Sequence, residues 1–421
     1  MADANPPDRN KGAGTKRGDT SGKVADFRYK QRPSRPDRTH ETQAKRRRAG
    51  PASDGRVRQH AGDAPPPRAS SQRAAPIPSV SWTGNRQAYA ALDLGTNNCR
   101  LLIARPQGEN FTVIDAFSRV VRLGEGLAAS GKLSDEAMER TLAALHVCAD
   151  KLRRRRVHLA RSVATEACRR AANGENFINR VREETGIALD IITAQEEARL
   201  AVLGCHVLLE HRPGPAVIFD IGGGSTELVL IEQADPVPRI LDWMSVPWGV
   251  VSLNDSVRPP DGTAGGRAAR YAEMRQIVAR SFEPFAQRIG ATAKAADAVR
   301  LLGTSGTVTT LASLHLELPQ YDRQAVDGLI VPSASMRGIT EKLSTMSRTE
   351  RGQLPCIGDD RAELVVAGCA ILDSILDIWP AEELGVADRG IREGILRSLI
   401  AADAEGEKSR AALQRMREQD V

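Results

Sequence analysis

Two stretches of the chain share one hydropathic pattern. From Val217 to Ile231 an apolar run rich in β-branched residues enters three glycines and leaves as a second apolar run, which predicts strand, tight turn, strand. The stretch Tyr89–Ala104 repeats it: apolar strand, Asp93, an apolar residue, Gly95 with small polar residues, apolar strand. The two hairpins lie about 127 residues apart, so the pattern predicts two similar lobes facing a shared cleft. Between them it predicts a third strand over 112–117, a helix capped by Ser134 and running to about Lys151, and a strand over 157–164. A helix capped by Thr165, a strand over 187–193 and a helix from Gln195 to about Leu209 follow. In this last helix Glu196, Leu200, Leu203 and Val207 form one stripe, and Glu197, Ala201 and Gly204 form its small-residue flank. The second half predicts a strand over 239–246, a helix over 267–289, a strand running into Gly303-Thr304-Ser305-Gly306-Thr307, and helices over 333–344 and 361–378.

The expected organisation is a disordered tail over 1–85, lobe I over 86–212, lobe II over 213–388 with the boundary at the Pro213-Gly214-Pro215 break, and a tail over 403–421. A C-terminal helix over about 389–402 is expected to pack back on lobe I. Charge supports the first boundary. Residues 1–80 hold 18 Lys and Arg against 8 Asp and Glu, so the chain's net +6 belongs to the tail and the remainder is net −4. Few large apolar residues and the run Lys45-Arg46-Arg47-Arg48 keep that tail from burying a core. It reads either as a nonspecific tether for polyanions or as a solvated extension. The six cysteines show no Cys-x-x-Cys pair or secretory framework and read as buried thiols of a cytoplasmic protein. No apolar stretch is long enough for a membrane span.

The candidate chemistry sits in the turns. Glycines let backbone N–H groups approach an anion, and Asp220 and Glu227 bracket one such turn as a Mg²⁺ site would require. An ordinary buried hairpin is the alternative. Arg169 or Arg170, one turn into its helix, could reach a phosphate with its forked donors. Glu197, beside the small-residue flank, is a candidate water-activating base or an acid that complements the helix dipole. The turn Gly303–Thr307 offers free N–H groups at a helix start.

Seven runs, taken in order, resemble the exopolyphosphatase/guanosine pentaphosphate phosphohydrolase (Ppx/GppA) phosphatases over about residues 88–400. They are Leu92-Asp93-Leu94-Gly95-Thr96-Asn97, Arg122-Leu123-Gly124-Glu125-Gly126-Leu127, Ala164-Thr165-Glu166-Ala167-Cys168-Arg169, Glu196-Glu197-Ala198-Arg199, Asp220 through Glu227, Gly303–Thr307, and Asp388-Arg389-Gly390-Ile391-Arg392-Glu393-Gly394. The resemblance implies an α/β fold of two ribonuclease-H-like lobes of the actin, sugar kinase and Hsp70 superfamily, with Mg²⁺ or another divalent cation in the cleft. It implies Glu197 as base, with Asp220, Glu227 and Arg169 as its catalytic partners, and Asp93, Asp220 and Glu227 as metal acids. It implies phosphate binding by Gly95, Thr96, Asn97, Gly222, Gly223, Gly224 and Ser225, joined by Thr304, Gly306 and Thr307 of the third turn. The implied substrate is polyphosphate, with guanosine pentaphosphate as the alternative and a non-catalytic polyphosphate- or RNA-binding protein as a weaker one. The oligomeric state, a homodimer included, stays open. Asn98 and Cys99 depart from the family pattern, and the chain stops too soon for the helical C-terminal domain of longer members.

Overall fold

The computed structural model describes residues 87–108, 110–209, 214–232, 234, 237–295 and 299–419, so the tail expected over 1–85 lies outside the described residues. Each lobe opens with an antiparallel meander: β1 (Ala88–Leu94), β2 (Asn98–Gln107) and β3 (Asn110–Val120) in the first, and β6 (Ala216–Ile221), β7 (Thr226–Glu232) and β8 (Arg239–Val246) in the second. Parallel strands then add beside the first strand of each meander. In the first sheet these are β4 (Val157–Ala164) and β5 (Leu189–Ile191), giving the order β3-β2-β1-β4-β5. In the second, β9 (Arg300–Thr304) and β11 (Glu383–Ala387) give β8-β7-β6-β9-β11, and β10 (Ile330–Pro332) pairs antiparallel at the edge. The same order in both sheets is the duplication that the hydropathic repeat predicts. Every residue of β1 is buried, which is why it reads as an apolar run broken only by Asp93.

Helices cover both sheets. Helices α1 (Leu127–Ser130), α2 (Asp135–Arg154), α3 (Glu166–Arg170) and α4 (Gly174–Thr185) belong to the first half. The side chain of Ser134 caps α2 as expected, accepting from the Ala137 N–H, whereas Thr165 makes no such bond to α3. Helix α5 (Ala194–Cys205), which falls within the span expected as lobe I, packs on the second sheet: Ala198, Val202 and Cys205 share a core with Ile218, Val229 and Leu302. In the second half, α6 (Val250–Ser256), α7 (Ala264–Ala295), α8 (Gly306–His315), α9 (Arg323–Val326), α10 (Ser333–Thr345), α11 (Arg348–Gly352) and α12 (Leu364–Ile378) precede α13 (Ile391–Gln419). Helix α13 crosses the other way, placing Ile395 and Leu396 against Tyr89, Ala91 and Leu102 of the first sheet.

The two crossing helices touch at glycines. A Cβ on Gly204 would lie 2.0 Å from the Gly390 carbonyl oxygen, and one on Gly394 would lie 2.0 Å from that of Leu200. The small-residue flank of α5 is therefore a close-contact face, as small residues on one side of a helix allow, while Val207 of the other stripe is exposed. A helix held between two sheets is buried on more than one side, so Leu200 of the other stripe is buried as well. Helix α13 also continues to Gln419, past the expected end at 402, through a run rich in Ala, Glu, Lys and Arg. Among the described residues no helix is long and apolar enough to cross a membrane. The six cysteines are free, and all but Cys356 are buried.

Candidate active site

The duplication places acids at equivalent positions. Asp93 is the penultimate residue of β1 and pairs across the hairpin with Arg100; Asp220 is the penultimate residue of β6 and pairs with Glu227. Cross-strand partners project from the same face of a sheet, so each lobe offers two ionisable side chains to one side. The two turns also meet. A Cβ on Gly223 would lie 2.9 Å from Thr96 Cβ and 3.2 Å from the Asn97 nitrogen, and one on Gly224 would lie 2.6 Å from Thr96 Oγ1. Only glycine lets the backbones approach this closely, so Gly95, Thr96 and Asn97 of one lobe and Gly222, Gly223, Gly224 and Ser225 of the other are brought together.

Glu197 enters from the first turn of α5, which Thr193 caps by accepting the Glu196 N–H. Its carboxylate accepts from Arg169 at 3.1 Å. The same guanidinium donates to the Ile192 carbonyl at 2.8 Å and to Glu166 at 2.6 Å, so it is fixed at three points. Glu227 accepts from the hydroxyls of Ser225 at 2.7 Å and Ser245 at 2.9 Å. The Ser225 side chain is thereby committed to the acid, which leaves its backbone N–H for an anion.

The acids sit in one electrostatic neighbourhood. Burial first, then the Glu227 charge, holds the Glu197 carboxyl well above the usual range, with Arg169 opposing. Burial lifts Asp220 to about 6 against the pull of Arg100, while Asp93 raises it further. Glu227 rises to about 7, through burial and then Asp220, although its two serine donors work the other way. Asp93 is also raised by burial, against Arg100 and Arg392. Buried carboxyls that disfavour one another's charge call either for protons or for a cation.

Asp93 Oδ1 is buried and has no hydrogen-bond partner among the described residues. Hard oxygen donors of this kind suit Mg²⁺. Yet no three His, Cys, Asp or Glu side chains among the described residues converge into a metal cage, so the expected trio of Asp93, Asp220 and Glu227 is not preassembled as one. The fit is therefore to an ion held by one or two carboxylates plus water and substrate oxygens, which is the coordination Mg²⁺ prefers.

The third turn departs from expectation in its hydroxyls. Thr304 Oγ1 donates to the Arg389 carbonyl at 2.6 Å, and Thr307 packs against Gly368, where a Cβ would meet its Oγ1 at 2.4 Å. These side chains join the turn to the rest of the second lobe. Ser305, at φ 90°, donates its hydroxyl to the Ile221 carbonyl and so ties this turn, with Gly306, to the residue before Gly222. In the last motif, burial would raise the Glu393 carboxyl, but Arg392 and Arg323 win and hold it low. The Arg323 guanidinium donates to it at 2.6 Å, and the Gly390 N–H at 3.0 Å. Arg100, Glu166 and Ser245 were missed from sequence. Arg100 had a signal, since it follows Asp93 by the same interval at which Glu227 follows Asp220.

Two duplicated sheets with acid-bearing glycine turns meeting between them define a two-lobed phosphoryl-handling enzyme. The family model described as "Ppx/GppA phosphatase family" matches residues 102–402, and the chain belongs to that family. It is 31% identical over 324 residues to "Exopolyphosphatase 2" of Mycobacterium tuberculosis (strain ATCC 25618 / H37Rv), covering 74% of this chain and 98% of that protein. The crystal structure of the Aquifex aeolicus member of the Ppx/GppA protein family aligns with a TM-score of 0.61 at 27% identity, over 75% of this chain and 98% of that one. An exopolyphosphatase structure from Cytophaga hutchinsonii ATCC 33406 shows the same fold at a TM-score of 0.67 and 23% identity, again over 75% and 98%. The chain has the actin-like ATPase fold of these neighbours and is a hydrolase of the phosphatase class.

Proposed function

We propose that this protein is an exopolyphosphatase that removes the terminal phosphate of inorganic polyphosphate as orthophosphate. The observation that carries this reading is the buried Glu197 carboxylate, held by Arg169 at 3.1 Å within the field of Asp93, Asp220 and Glu227. The relative named Exopolyphosphatase 2 supports the substrate class. Burial makes Glu197 a strong base once ionised, suited to take the proton of an attacking water. The N–H groups of Gly223, Gly224 and Ser225 face the charge that spreads over the transferring oxygens, and Arg169 adds its own charge. One or two of the carboxylates Asp93, Asp220 and Glu227, with water and substrate oxygens, would hold a divalent cation, which when bound neutralises phosphate oxygens. Glu227, fixed by Ser225 and Ser245, orients water at that position.

Orthophosphate release should be measured with and without Mg²⁺ on polyphosphates of several lengths and on guanosine pentaphosphate. The expected result is Mg²⁺-dependent release that is faster on polyphosphate, and a loss of roughly 10²- to 10⁴-fold in Glu197→Gln with folding intact. Faster turnover of guanosine pentaphosphate would reassign the substrate. Near-normal turnover by the Gln variant would remove Glu197 from the role of base.

A further inference from the structure

The glycine turn is gripped on its carbonyl side. The Val250 N–H donates to Gly222 O at 3.0 Å, and the N–H groups of Val251 and Ser252 donate to Gly223 O at 2.8 and 3.3 Å. The Ser252 hydroxyl completes the set, donating to Gly224 O at 2.9 Å while accepting from the Gly249 N–H at 2.8 Å. Its single proton has Pro247 O, at 3.1 Å, and Gly249 O, at 3.4 Å, as competing acceptors. Gly249 makes the approach feasible: a Cβ there would lie 2.4 Å from the Gly223 carbonyl carbon. Three consecutive carbonyls of the turn therefore point at the start of α6.

In a planar trans peptide the N–H points opposite to the C=O. Holding the carbonyls of Gly222, Gly223 and Gly224 towards α6 thus turns the N–H groups of Gly223, Gly224 and Ser225 away from it. Among the described residues, none of these three N–H groups donates to a protein acceptor.

The first lobe repeats the device with backbone alone. Val121 and Arg122 donate to Asn97 O at 2.9 and 3.0 Å, and Gly124 donates to Thr96 O at 2.9 Å. A Cβ on Gly124 would strike Thr96 Cγ2 at 2.3 Å. Both clamps follow the third strand of their meander, so they occupy equivalent positions in the duplication. This gives a physical reason for Gly124 and Gly249.

We propose that Ser252 is a positioning residue for phosphoryl transfer: it fixes the Gly224–Ser225 peptide so that the turn's N–H groups are aimed before substrate arrives. This rests on the reading of the turn as the phosphate cradle. Donors aimed in advance contribute most where charge develops in the transition state. Loosening them should lower kcat and kcat/KM together, with KM for a long chain little changed.

The test uses the full chain as wild type, Ser252→Ala and Asn254→Ala. The last loosens the tie between α6 and Arg270 without touching the glycine carbonyls. S252A is expected to lose roughly 10- to 100-fold in kcat, with the Kd for orthovanadate raised by a similar factor. N254A is expected to match the wild type in both. Orthovanadate affinity and kcat within about twofold of wild type in S252A would overturn the proposal, as would a parallel loss in N254A. Should S252A not fold, wild-type amide spectra decide. The Gly223, Gly224 and Ser225 resonances must shift on adding orthovanadate while the Val250 and Val251 amides stay protected, and unmoved turn amides overturn the idea. A wild type that binds orthovanadate but releases no orthophosphate from polyphosphate counts against the substrate reading alone, and the comparison of affinities still decides the role of Ser252.

Discussion

The Arg169 guanidinium bonds Glu166 and Glu197 at once, and this sharing governs what Glu197 can do as a base. Its charge is what opposes burial and the Glu227 repulsion in setting that carboxyl's proton affinity. Removing it must therefore raise the affinity further. In Arg169→Ala the acid limb of the kcat/KM profile should move to higher pH, and kcat should fall by roughly 10²- to 10³-fold through the lost stabilisation of charge. A pH–rate profile measures both, and an acid limb that stays in place would show that Arg169 is not the counter-ion of the base. The acids themselves were legible in the sequence because each stands at a fixed offset from a glycine turn. Glu166 and Ser245 were not, because their roles depend on contacts that strand pairing and helix placement create: Ser245 reaches Glu227 only because β8 lies in register with β7. The hydroxyls of Thr304 and Thr307 show the converse, since residue type signals phosphate binding while side-chain direction does not appear in the sequence.

At the scale of elements, the crossing of α5 and α13 joins the two halves of the duplication. The backbone of each helix lies against a glycine of the other, at Gly204 and at Gly394, with no room for a Cβ at either. Gly204→Ala must force the helices apart. Overpacking of this kind costs about 1 to 3 kcal/mol, so the melting temperature should drop by several degrees, as calorimetry or circular dichroism would show. Because Glu197 rides on α5, activity per folded molecule should fall as well. Unchanged stability in Gly204→Ala would mean that the crossing is looser than described. The hairpins were readable from periodicity because two buried runs flank each turn. Strands β5 and β10, of three residues each, hold too little periodicity to be bounded, and the exchange of helices between sheets is a long-range arrangement that no local pattern records.

For the whole molecule, four acids collected from two lobes into one buried region make stability depend on pH and on cations. Asp220, lifted to about 6, and Glu227, lifted to about 7, hold protons in the folded protein that they release near pH 4 when unfolded. A folded-state pKa raised in this way gives stability that is fully present below the unfolded value and is lost as pH rises through the folded one. The metal-free protein should therefore be destabilised between about pH 4 and pH 8, by an amount on the order of a few kcal/mol. A divalent cation bound by the ionised acids acts in the opposite direction, since a ligand of the folded state alone stabilises it. Melting curves at pH 5, 6.5 and 8, in chelator and in excess Mg²⁺, should show a fall with pH in chelator that Mg²⁺ reverses most strongly at pH 8. In Asp220→Asn with Glu227→Gln both trends should flatten, because the amides neither titrate nor attract the ion. Stability in chelator that stays level or climbs towards pH 8 would mean that these acids are already ionised in the folded protein, paired with cationic side chains strong enough to outweigh burial.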